Sequence, residues 1–117
     1  MNRDVRFVRD LVARIPAFDD LYRSHVFNED GVLAHVIFWD ITLATVASYL
    51  GDEDEPDWRS TLPFLEEQLS LGVPEISEVV VTSFLNYLPW PGEPGHGIVR
   101  ELGPAMARSF ASIRPSG

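Results

Sequence analysis

The sequence lacks cysteine and lysine altogether. Without cysteine the chain has no disulfide bond, no thiolate metal site and no cysteine nucleophile. It also lacks the Gly-x-Ser-x-Gly pattern of serine hydrolases and the glycine-rich loops that bind phosphate. Its three histidines, His25, His35 and His96, do not have the i, i+4 spacing with which two imidazoles bind one zinc ion. We therefore expect no catalytic residue, no metal site and no cofactor.

Basic residues of any kind are scarce in the middle of the chain. Residues 24–99 contain thirteen acidic residues against the single Arg59, and the whole chain carries a formal net charge of −9. Such a surface repels nucleic acids and anionic membranes, and it attracts basic protein surfaces. We therefore expect a protein partner, with no nucleic acid and no membrane. The alternative is that the negative charge serves solubility alone.

Length and composition indicate one folded domain over residues 1–117. Apolar residues make up 45% of the chain, which is typical of a globular protein. A length of 117 residues is enough for one hydrophobic core but not for two. The N-terminal residues carry both charge signs and lack the apolar stretch of a signal peptide. We expect a cytoplasmic monomer or weak dimer.

Hydrophobic periodicity, together with the positions of proline and glycine, predicts an all-α fold, a single irregular bundle of five to six helices. Helices are expected over residues 2–14, from Pro16 to a break at residues 28–31, and then over residues 31–50, 57–71, 74–88 and 96–113. Pro104 should divide the last of these in two. Residues 89–95, rich in proline and glycine, are expected to form a rigid connector. The tail, residues 114–117, is expected to be frayed.

The segment 31–50 is apolar almost all round and has the length of a membrane span. Asp40 at its centre and the acidic residues on both flanks oppose that interpretation. We instead predict the central helix of the bundle, with Trp39 in the core. His35 and Asp40 are predicted to form a buried hydrogen-bonded pair.

Acidic residues next to tryptophan are the best candidates for partner binding. The acidic run at residues 52–57 lacks the central glycine and the distal glutamate of a calcium-binding loop, so a solvated loop is expected. Tryptophan is enriched among the residues that dominate binding energy, and acids complement an arginine- or lysine-rich partner. The candidates are Asp52, Glu53, Asp54, Glu55, Asp57, Trp58, Glu66, Glu67, Trp90 and Glu93.

Several short segments resemble an uncharacterised family of small bacterial proteins, in the same order along the chain. They are residues 20–25 (DLYRSH), 28–36 (NEDGVLAHV) followed by Asp40, 62–66 (LPFLE), 83–88 (SFLNYL) and 102–104 (LGP). Ala34 departs from the family's pattern, where a proline is expected. Members of this family look like immunity proteins of bacterial toxin systems, which sequester a toxin made by the same cell. The resemblance thus implies binding of a toxin and assigns no catalytic residue. The acidic surface in turn favours a basic toxin C-terminal domain, such as a nuclease.

Two alternatives remain open. A cytosolic adaptor or regulator would use the same acidic surface on another basic partner. A small enzyme would need a pocket in which polar groups converge, and His25, His35 and Asp40 are the candidates for such a pocket.

Overall fold

The chain folds entirely from helices and turns, as predicted. The computed structural model describes residues 1–117 and contains no strand. Its α-helices are α1 (Arg3–Arg14), α2 (Asp19–Glu29), α3 (Ala34–Tyr49), α4 (Trp58–Ser70), α5 (Pro74–Val79) and α6 (Pro104–Ile113). Shorter helical turns are the 3₁₀ turns Pro16–Phe18, Leu85–Tyr87 and His96–Glu101 and the π turn Val80–Phe84, which continues α5. The division of the last predicted helix at Pro104 is confirmed.

Local chemistry explains where the helices begin and end. The Asp57 side chain accepts a hydrogen bond from the backbone N–H of Arg59 at 3.0 Å and so caps α4. Gly72, with φ of +71°, ends that helix in the left-handed conformation that glycine adopts without strain. Proline occupies the first turn of α5 and of α6, where a backbone N–H would have no hydrogen-bond partner within the helix.

A group of stacked phenylalanines joins the helices at the centre of the core. The ring of Phe7 lies 5.5 Å from that of Phe38 and 6.2 Å from that of Phe64, nearly parallel to both. The Phe38 ring also contacts the edge of Phe84 at 6.4 Å. Helices α1, α3 and α4 and the π turn therefore meet at one aromatic cluster, inside a core of 21 buried apolar residues.

The first residue of the predicted frayed tail, Arg114, is anchored, which corrects the prediction at that position. Arg114 is buried, with only 3% of its surface exposed. Its guanidinium donates hydrogen bonds to the carbonyls of Pro89 and Asn86, both at 3.1 Å, and to that of Leu88. Burial lowers the pKa of Arg114 from its usual value, and the carboxylate of Glu93 opposes that shift.

Two predictions for the central helix are wrong. Trp39 was predicted in the core but is 50% exposed. His35 and Asp40 were predicted as a buried pair, whereas both are exposed; His35 instead hydrogen-bonds to Ser83 Oγ. The reason is that α3 is apolar on both sides, so periodicity could not indicate which side faces the core. No helix is both long enough and apolar enough to cross a membrane.

Candidate functional site

The acidic run forms an exposed loop at the C-terminal end of α3. Asp52, Glu53, Asp54 and Glu55 are all exposed, and their carboxylates make no hydrogen bond or ion pair within the chain. Asp57 ends the loop as the cap of α4. Four carboxylates are therefore free to contact another molecule.

Trp58 stands at the base of this acidic loop. Its indole packs edge-on against Tyr49 of α3, with ring centroids 5.2 Å apart, and the guanidinium of Arg59 lies 4.8 Å above the ring. A cleft of about 340 Å³ opens on its acidic side. Among the residues that line this cleft are Tyr49, Glu53, Asp54, Asp57, Trp58 and Arg59. Three carboxylates face one guanidinium there, so the cleft suits a cationic side chain.

The proline-rich connector, residues 89–95, lies at the same end of α3. Gly95 packs so closely that a Cβ atom on it would come within 2.6 Å of Val46 Cγ1 and 3.7 Å of Leu50 Cδ1. Trp90 is 54% exposed, and the guanidinium of Arg114 covers one face of its ring at 3.9 Å. Glu93 Oε1 accepts a hydrogen bond from the backbone N–H of Trp90 at 2.7 Å. The structure thus brings the acidic loop, Trp58 and the connector to one end of α3.

The remaining two candidates lie along α4 and are engaged within the chain. Both oxygens of Glu66 accept hydrogen bonds from the first turn of α6, from Ala105 N–H at 2.8 Å and Met106 N–H at 2.9 Å. Glu67 faces α1, where its carboxylate lies 3.8 Å from the Arg14 guanidinium. Glu66 therefore has a structural role, and its carboxylate is not free to contact another molecule.

Sequence reasoning missed an apolar stripe on the outward face of α3. We call Val36, Trp39, Leu43, Val46 and Leu50 the α3 stripe. They follow one another at spacings of three and four residues, which places them within an arc of about 80° on the helix. Four of them are exposed and Val46 is half-buried. The heptad spacing was the available signal, but it is hidden in the sequence because the opposite face is equally apolar.

The histidines do not converge on a pocket. His25 is buried, and its Nε2 accepts a hydrogen bond from the backbone N–H of Leu33 at 2.9 Å. His35 joins α3 to the π turn through Ser83, and its Nε2 lies 3.8 Å from Glu78. Ser83 is only 1% exposed, so this contact serves to hold two elements together. No group of three or more histidine, aspartate or glutamate side chains is arranged to hold a metal ion.

Fold and site together define an all-α protein with an acidic and aromatic surface at one end of its central helix. Comparison of the chain with protein-family models, with curated proteins and with solved structures finds no match in any of the three.

Proposed function

We propose that the protein is an immunity protein that binds and neutralises a basic bacterial toxin domain, such as a nuclease, in the cytoplasm of the cell that makes the toxin. The proposal assigns no chemical step to this chain. Neutralisation by binding requires only that the partner's active groove be covered. The resemblance of the sequence to immunity proteins supports the same function.

The observation that carries the proposal is the acidic loop with its cleft beside Trp58. Glu53, Asp54 and Asp57 line that cleft, and neither Glu53 nor Asp54 has an intramolecular partner. A nuclease binds a polyanion and therefore exposes arginine and lysine in its groove. Because these carboxylates have no partner within the chain, pairing with the cations of a nuclease displaces only bound water. Such charge complementarity favours fast association and specificity.

Tryptophan gives the acidic surface an anchor that charge alone cannot supply. Exposed ion pairs contribute little to affinity, about 0–1 kcal/mol each. Trp58 and Trp90 are each fixed by packing against a neighbouring side chain, Tyr49 and Arg114 respectively. Side chains that are already ordered lose little entropy on binding. Both are therefore suited to pack against a partner between the carboxylates.

The direct test uses the C-terminal domain of a toxin encoded beside this gene, and the absence of any such gene would count against the proposal. We expect nanomolar binding in titration calorimetry at moderate salt, inhibition of that domain's activity in vitro, and protection of cells that express it. Affinity should fall steeply with ionic strength because the contacts are charged. Absence of both binding and cell protection would overturn the proposal.

A matched pair of variants separates the acidic loop from net charge. The double variant Asp52→Asn and Asp54→Asn should weaken binding about tenfold, since it removes two free carboxylates from the interface, each contributing up to about 1 kcal/mol. The control variant Asp10→Asn and Asp20→Asn removes the same charge from exposed positions on α1 and α2. An equal loss of affinity in the two variants would mean that binding depends on the net charge of the chain and not on the acidic loop.

A further inference from the structure

The α3 stripe is apolar from Val36 to Leu50 although it faces solvent. Trp39 is 50% exposed and Leu43 51%, and Val36 and Leu50 are each nearly half exposed. The opposite face already supplies Ile37, Phe38 and Ile41 to the core. No rotation of the helix could bury one face without exposing the other. The outer side of the α3 stripe is therefore left uncovered by the rest of this chain.

The α3 stripe has the dimensions of a helix-binding surface. From Val36 to Leu50 it extends about 21 Å at 1.5 Å per residue. Its half-exposed side chains offer on the order of 400 Å² of apolar surface, which is in the range of the largest apolar patch on a typical monomer, a patch that is often functional. The spacing of three and four residues is that with which two helices pack side by side.

Neighbouring elements hold the α3 stripe in place. The ring of Trp39 packs edge-on against Tyr87, with centroids 4.9 Å apart. At the other end, Gly95 of the connector lies against Val46 and Leu50. One flank of the α3 stripe is thus bordered by Tyr87 and the connector, so the stripe continues into the surface that carries Trp90.

Charge around the α3 stripe indicates what kind of molecule covers it. Asp40 is exposed beside the stripe and has no ion pair, and the acidic loop begins directly after Leu50. Residues 24–58 contain eight acidic residues and no arginine or lysine. A second copy of this chain packed parallel, stripe to stripe, would bring these acids together, and in either direction two chains with a net charge of −9 repel each other. A partner with arginine or lysine beside an apolar ridge has the complementary charge.

We propose that the α3 stripe is the docking surface for an apolar helix of the partner, with an arginine or lysine of that helix paired to Asp40. The inference rests on the proposed function and names the partner's chemistry. Trp39 is the expected anchor, because a large, half-exposed and already ordered aromatic side chain is typical of the residues that dominate interface energy. The acidic loop then contacts the basic surface next to the docked helix.

The test measures binding of the adjacent gene's C-terminal domain to four single variants. Trp39→Ala and Leu43→Asp alter the α3 stripe. Phe27→Ala and Leu71→Asp are the matched controls, at side chains that are 87% and 62% exposed. We expect each stripe variant to weaken binding about 30-fold or more and each control to remain within about threefold of the original chain. Thermal unfolding of each variant checks that the fold is kept.

A charge-reversing variant tests the pairing with Asp40. Asp40→Arg should weaken binding more than Asp40→Asn does, since it places a cation against the partner's cation. Asp40→Asn should also reduce the dependence of affinity on salt, because one ion pair is removed. Equal affinities for Asp40→Arg and the original chain would overturn this part of the inference.

The outcomes distinguish this inference from the proposed function. If the domain binds the stripe variants as tightly as the controls, the inference fails and the proposed function stands. If the domain does not bind the original chain at all, both fail. Sedimentation equilibrium tests whether a second copy covers the α3 stripe. If the original chain is a dimer and Leu43→Asp converts it to a monomer, a second copy covers the stripe and the inference is overturned.

Discussion

Replacing Glu66 by alanine should destabilise the protein although this residue lies near the surface. α6 begins at Pro104 and has no side-chain cap of its own. Its first N–H groups are satisfied instead by Glu66, whose two oxygens accept from Ala105 and Met106 at 2.8 and 2.9 Å. Gly103 packs against the same side chain, because a Cβ atom there would lie only 2.6 Å from Glu66 Cδ. One carboxylate thus fixes where α6 begins relative to α4.

The size of the effect follows from these contacts. A hydrogen bond to a charged group contributes about 1.5–3 kcal/mol, and a carboxylate at a helix N-terminus adds about 0.3–1 kcal/mol through the helix dipole. Glu66 is half-buried, so water can replace part of what alanine removes. We therefore expect the free energy of unfolding to fall by about 2–3 kcal/mol, which corresponds to a decrease in Tm of about 10 °C for a chain of this length.

Thermal and urea unfolding followed by circular dichroism would measure this change. Glu67→Ala is the matched control, because its ion pair with Arg14 spans 3.8 Å between side chains that are more than half exposed; we expect a loss of at most about 0.5 kcal/mol. Glu66→Gln should be intermediate, since its one amide oxygen cannot accept as the two carboxylate oxygens do. Equal stability of Glu66→Ala and Glu67→Ala would refute the reasoning. So would an unchanged Tm with a loss of partner affinity, which would mean that the Glu66 carboxylate is free for the partner.

Four further substitutions, of which Gly92→Ala is a control, test how the connector and the helix ends are held. Gly95→Ala should cost about 2–4 kcal/mol of unfolding free energy, because its Cβ would clash with Val46. Gly92→Ala, with a similar positive φ but open space around it, should cost only about 1 kcal/mol in the same urea titration. Arg114→Ala should destabilise the fold by about 3 kcal/mol, since it leaves three carbonyls without their donor, and Tm should show it. His25→Ala leaves the Leu33 N–H without an acceptor and should cost about 1–2 kcal/mol; a Tm within 2 °C of the original, on the order of 0.5 kcal/mol, would contradict this.

Boundaries and helix type could be predicted because they depend on local chemistry. Pro74 and Pro104 begin helices, Gly72 ends one and Asp57 caps one, and each of these effects acts within a turn of the residue concerned. The run Val79–Val81 was predicted as helix despite its β-branched side chains, and the structure confirms it. Tertiary packing there overrides a weak local preference.

Tertiary roles could not be predicted, because they depend on which residues meet across the fold. Glu66 and Ala105 are far apart in sequence, so nothing local indicates that a carboxylate on α4 caps α6. Arg114 looks like an ordinary residue of a polar tail until its carbonyl partners are known. Trp39 was predicted in the core because large aromatic side chains usually belong there. On a helix that is apolar all round, only its neighbours decide which face is covered.

Placing acids around an apolar stripe has opposite effects on self-association and on partner binding. Two copies of the chain, each with a net charge of −9, repel each other at distances of about 8 Å or less at physiological salt. That repulsion opposes the close approach that stripe-to-stripe packing requires. The same charge draws in a basic partner and orients it before contact. In the proposed complex, the α3 stripe supplies affinity once the surfaces touch, and the surrounding carboxylates determine which surfaces come close enough to touch.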